Sequence, residues 1–136
     1  HVIPALIHKC YLAKQNNEKF IVRGTGKPLR QFIYSTDLAK LMLWVLESYD
    51  EKDSIILSVS EEEEMSIGDV ARLVAKEFDY DHMMAFDDSY SDGQFKKTAD
   101  NSKLMSLYSD FKFTSMEEGM RNSVKWFINH YNTCRK

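Results

Sequence analysis

At 136 residues, 43% of them hydrophobic and 12% aromatic, the chain is sized for one domain with a packed core, which excludes a disordered segment. A net charge of −3 excludes a surface built to neutralise a nucleic-acid backbone, and no apolar run reaches the roughly 20 residues that a membrane-spanning helix needs. Cys10 and Cys134 lie near opposite ends with no metal-ligand spacing, so they read as reduced thiols of a cytoplasmic protein.

The chain opens on His1, not Met, directly in a periodic apolar pattern, so a longer parent protein is expected. Ile3, Leu6, Ile7 and Cys10 recur at helical spacing from Val2 to about Lys14, with Pro4 tolerated in the first turn. Phe20 to Val22 is a short strand-type run, and Phe32 to Tyr34 is a second, weaker one. Ser35-Thr36-Asp37 supplies helix-start chemistry, and Leu38, Leu41, Met42, Val45 and Leu46 form the expected buried stripe of a helix ending near Tyr49.

Ile55 to Val59 reads as a strand covered on both faces, and the acidic run Glu61 to Glu64 as a solvated loop. Ser66-Ile67-Gly68-Asp69 has capping-box spacing before a helix carrying Val70, Leu73, Val74 and Phe78. Met83 to Phe86 is a fourth candidate strand, and Asp87 to Lys97 is loop-like around its Asp92-Gly93 turn. Asp100 to Ser102 starts a brief helix through Leu104. A second capping box at Ser115 opens a last helix whose apolar face carries Met116, Met120, Val124, Phe127 and Tyr131. Strands alternate with helices, so the expected fold class is α/β: a small, largely parallel sheet with flanking helices, one domain over residues 1–136.

The chemistry concentrates in Arg23 to Tyr34. Two glycines expose backbone N–H groups, Pro28 fixes a turn, and Arg30 offers a planar fork suited to phosphate or carboxylate. Local sequence alone does not separate an anion-binding loop from an ordinary solvated connection. Gly24-Thr25-Gly26 follows a strand, but Leu29 stands where a dinucleotide fingerprint needs its third glycine. Tyr108 and Lys112 have the spacing of a dehydrogenase catalytic pair, yet they sit in a polar connection where one helix face is not expected.

Gly24-x-Gly26-x-x-x-Arg30-x-Phe32-Ile33-Tyr34-x-x-Asp37-x-Ala39 resembles the substrate-domain signature of extended short-chain dehydrogenases/reductases that act on nucleotide sugars. His1 to Lys9 and Ser91 to Leu104 narrow the resemblance to the GDP-L-fucose synthase family within that group. The likeness runs over essentially the whole chain. It implies the C-terminal GDP-sugar-binding domain of an NADPH-dependent 3,5-epimerase/4-reductase. The Rossmann domain that holds most of the NADPH and the Ser-Tyr-Lys set lies outside these residues.

On that resemblance His1 is the catalytic histidine that reprotonates the sugar, close to the cofactor. Lys9, Arg23, Arg30 and Asp92 fall at positions that contact the GDP-sugar. Arg23 departs from the family, whose members commonly carry tryptophan there. The resemblance further implies a homodimer, with contact mainly through the other domain. Two alternatives stand beside it: the substrate domain of another nucleotide-sugar epimerase, dehydratase or reductase, and a non-catalytic α/β binding module.

Overall fold

A computed structural model describes residues 1–136. The first helix, α1 (Val2–Gln15), turns Leu6, Ile7, Cys10 and Ala13 inward at the spacing the sequence predicts. It stops where Asn17 takes a left-handed conformation (φ 54°), one of the few residue types that tolerate it. The amides of Asn17 and Glu18 then reach back to the carbonyls of Lys14 and Ala13, which satisfies the end of the helix.

Strand β1 (Phe20–Arg23) follows at once and pairs in parallel with β4 (Met84–Asp87), in a register that sets Arg23 beside Asp87. This is the expected parallel sheet. Two shorter strands, β2 (Leu29–Arg30) and β3 (Met65–Ser66), form a separate antiparallel pair. Ser66 then caps α3 (Ile67–Glu77): its hydroxyl accepts the amide of Asp69 at 3.0 Å, as the capping box predicts. Ser115 does the same for the last helix, α5 (Met116–Asn129), with Glu118 as donor.

One core unites these elements. Phe20 and Val22 of β1 meet the inner sides of α1 and α3, and Met120, Val124 and Phe127 of α5 close it from beyond α3. Cys10 is fully buried here, and desolvation pushes its thiol up to about 11 against a weaker opposing pull from Lys14. It is a neutral packing group.

Four expectations need correction. Helix α2 (Ser35–Ser48) forms, but of its expected stripe only Leu41 is buried; Met42 and Leu46 are exposed. The residue turned inward at its start is Asp37, which accepts hydrogen bonds from the Thr114 amide at 2.7 Å and the Thr114 hydroxyl at 2.9 Å. Ile55 to Val59 is not a strand, because no other strand of the chain lies beside it; it is tied down at its end by Asn101, whose amide donates to the Ser58 carbonyl. Phe32 to Tyr34 is likewise outside any ladder, and the pairing falls earlier, at Leu29–Arg30. The brief helix, α4, begins at Ser102 as expected but runs on to Leu107.

The acidic run is a single 3-10 turn, Glu61–Glu63, and it is not idle. Lys96 pairs with Glu61 and lies 3.5 Å from Glu64, and Thr98 donates to Glu64. The turn therefore anchors the far end of the 87–99 loop.

Candidate functional site

The site is made where β1 and β4 both end. Arg23 is the last residue of β1, and the chain then leaves the sheet through Gly24, whose amide donates to the Asp87 carbonyl at 2.7 Å. Gly24 has φ 91° and Gly26 φ 76°, conformations that cost other residues dearly. Space forbids a side chain as well: a Cβ on Gly26 would come within 2.5 Å of the Phe86 ring. The two glycines are thus required by the backbone path.

A second loop, residues 88–97, folds over the first and is fastened to it at three points. Asp92 accepts from the Thr25 amide at 2.6 Å and from the Thr25 hydroxyl at 2.7 Å, bonds that hold its carboxyl below the usual range and keep it ionised. The Leu29 amide donates to the Phe95 carbonyl at 2.8 Å. Arg30 donates to its own neighbour's carbonyl, Leu29, at 2.7 Å and to the Gln94 carbonyl at 2.8 Å.

The corner is cationic and lacks ion-pair partners. Neither Lys9, Arg23 nor Arg30 forms a salt bridge; the lysines and arginines that do are Arg72, Lys96 and Lys103. Lys9, on α1, has its ammonium pKa lowered, first by partial desolvation and then by the nearby Arg23 charge, with Asp87 opposing. Asp87 makes no salt bridge with either cation, though both act on it as nearby charges; its Oδ1 accepts from the Ser89 hydroxyl at 2.6 Å and the Ser89 amide at 3.2 Å. Arg23 lies over the ring of Tyr90, 4.6 Å from its centroid. Such an array has positive charge to offer an anion and aromatic surface beside it.

Of the five expected residues, Lys9 and Arg23 stand near each other at the end of β1, while Arg30 and Asp92 each fasten the glycine loop to the 88–97 loop. His1 stands apart at the exposed start of α1, eight residues or roughly 12 Å of helix from Lys9. Its carbonyl accepts the Ala5 amide at 3.2 Å. Two hollows flank the region. One of about 410 Å³ is lined by Thr25, Gly26, Lys27, Arg72, Phe86 and Phe95, on the glycine loop itself. The larger, about 650 Å³, lies between Ile3, Phe32, Tyr34, Thr114, Met116 and Met120, and neither hollow is lined by any of the five.

Residues 1–68, half of the chain, match the NAD dependent epimerase/dehydratase family. The chain belongs to that family. It is 54% identical over its whole length to the GDP-L-fucose synthase of Dictyostelium discoideum, covering 42% of that protein. It is 46% identical, again over its whole length, to a probable GDP-L-fucose synthase of Drosophila melanogaster, covering 44%. A crystal structure of a GDP-L-fucose synthetase from Naegleria fowleri bound to NADP superposes on all of it with a TM-score of 0.97 at 47% identity, the chain covering 42% of that one. The chain thus spans less than half the length of the curated relatives it matches.

Within this member of the epimerase/dehydratase family, three participants escaped sequence reading: Thr25, Asp87 and Tyr90. Thr25 carried a weak signal, lying between two glycines opposite an Asp-Gly turn. Asp87 and Tyr90 carried none, since their importance depends on the parallel register that sets β4 beside Arg23. The Tyr108–Lys112 spacing leads nowhere: Tyr108 ends α4 and stacks on Trp44 at 5.0 Å, while Lys112 lies outside any helix.

Proposed function

We propose that residues 1–136 form the GDP-sugar-binding domain of a cytoplasmic GDP-L-fucose synthase. The whole enzyme would convert GDP-4-keto-6-deoxy-D-mannose to GDP-L-fucose by 3,5-epimerisation and NADPH-dependent 4-reduction. One observation carries the reading: Arg23 and Arg30 bracket a single glycine loop, Lys9 stands near Arg23, and none of the three forms a salt bridge. A nucleoside diphosphate sugar would supply negative charge there, and the identity to GDP-L-fucose synthases supports GDP as its nucleotide. Arg30 is the principal anion contact and Lys9 the second, because a guanidinium fork already aligned by the Leu29 and Gln94 carbonyls loses little freedom on binding. Asp92 shapes the loop through Thr25 and keeps lone pairs for ligand donors.

His1 is assigned as the acid that returns a proton to the sugar carbon during epimerisation, a task suited to imidazole near neutral pH. These residues do not build a dinucleotide cradle: Gly24-Thr25-Gly26 runs into β2, not into the start of a helix. NADPH is therefore assigned mainly to residues outside the chain, with His1 beside it, and hydride transfer is not expected of residues 1–136 alone. The full-length protein is taken to be a homodimer.

The test is a titration of GDP-fucose into the full-length protein and its Arg30→Ala variant. Loss of a charge-assisted contact should weaken binding by about tenfold or more. Unchanged affinity overturns the loop assignment. Assaying the full-length protein with NADPH and GDP-4-keto-6-deoxy-mannose, against UDP-sugars, separates this reading from another epimerase, dehydratase or reductase of the family.

A further inference from the structure

Arg23 is the cation of this corner whose partner is an aromatic ring. Its place in the register, beside Asp87, would ordinarily yield an ion pair across the two strands. None forms within contact distance: the Asp87 Oδ1 accepts from both the hydroxyl and the amide of Ser89, and Arg23 acts on the carboxylate only as a nearby charge. The guanidinium instead lies over the ring of Tyr90, 4.6 Å from the centroid, three residues beyond Asp87. A guanidinium has two flat faces. Arg23 meets the phenol on one side, and it is otherwise an exposed residue that forms no salt bridge. Tyr90 itself is 46% exposed and serves no core, so its contact with Arg23 is the structural work it does.

We propose that Tyr90 is a positioning residue: it holds the Arg23 guanidinium in place so that its exposed side stacks on the base of a bound nucleotide. The inference rests on the nucleotide-sugar reading above and adds to it a base platform and a residue that builds it. A free arginine side chain samples many rotamers, and ordering it costs free energy at the moment of binding. The phenol ring meets that cost in advance. The platform favours a purine, whose larger π-face covers more of the guanidinium than a pyrimidine does.

The experiment uses the full-length protein with GDP and inorganic pyrophosphate as probes. Tyr90→Ala should weaken GDP binding by about five- to tenfold and leave pyrophosphate binding within twofold. Tyr90→Phe, which keeps the ring and removes only the hydroxyl, should restore GDP affinity. In an Arg23→Ala background the Tyr90→Ala change should add nothing, since its effect acts through the guanidinium. Thermal unfolding of the single variants should match the parent, as expected for exposed residues. Unchanged GDP affinity in Tyr90→Ala, an equal loss in Tyr90→Phe, or an equal loss for pyrophosphate each overturns the proposal. Arg30→Ala separates the two levels. If it weakens GDP-fucose binding while Tyr90→Ala does not, only the platform fails; if neither variant changes binding, the nucleotide-sugar reading fails with it.

Discussion

Helices α1 and α2 are each 14 residues long, and both carry apolar side chains at helical spacing. Their fates differ. The first buries four residues against β1 and α3, whereas the second buries Leu41 and leaves Leu43 58% and Leu46 82% exposed. What holds α2 is a few separate contacts: Asp37 on Thr114, Tyr34 packed against Gly119, where a Cβ would stand 3.4 Å from the ring, the buried Leu41, and Trp44 stacked on Tyr108. An amphipathic period states which side of a helix favours burial. It does not state whether the chain supplies a surface to bury it against.

The comparison breaks most visibly in the core half. Phe20→Ala removes a fully buried ring from between α1 and α3, and chemical denaturation should show a loss of about 3–5 kcal/mol. A loss below about 1 kcal/mol would mean that this half is no better packed than α2. Next in size is Asp37, which is 2% exposed. Replacing it with Ala leaves the Thr114 amide without its acceptor, a cost of about 1–3 kcal/mol. Asp37→Asn should recover most of that, because its carbonyl oxygen still accepts from the amide and its NH2 group can donate to the hydroxyl. Equal losses for Ala and Asn would show that charge, not hydrogen bonding, is what α2 requires there.

The same contrast explains what could be read in advance. Elements whose partners lie within the chain were legible: α1 and α3, the two capping boxes, and the β1 and β4 runs, because period and cap chemistry there agree with the packing. The buried stripe of α2 and the strand at Ile55 to Val59 were misread together. Both rest on apolarity alone, and both need a neighbouring surface that these residues do not provide. At the site, the glycine loop and its basic residues stood out by composition. The closure by Asp92 on Thr25, the fastening of Arg30 to Gln94 and the Tyr90 contact did not, since each joins positions more than 60 residues apart. Local sequence has no vocabulary for such contacts; only the β1–β4 register brings them together.

The smallest expected effect is the sharpest test of the difference. Leu46→Glu puts a charge on the most exposed apolar side chain of α2, where both residues are good helix formers. In the 136-residue chain this should change stability by no more than about 0.5 kcal/mol, read from the denaturation midpoint at constant slope. It should also reduce self-association, because it interrupts an apolar surface shared with Leu43. The full-length protein gives the second arm. A loss of about 2 kcal/mol or more there would show that residues outside the chain cover α2, since burying an unpaired carboxylate is costly. If the full-length protein tolerates the change as well, the apolar side of α2 is a free surface in both, and its exposure belongs to the fold itself.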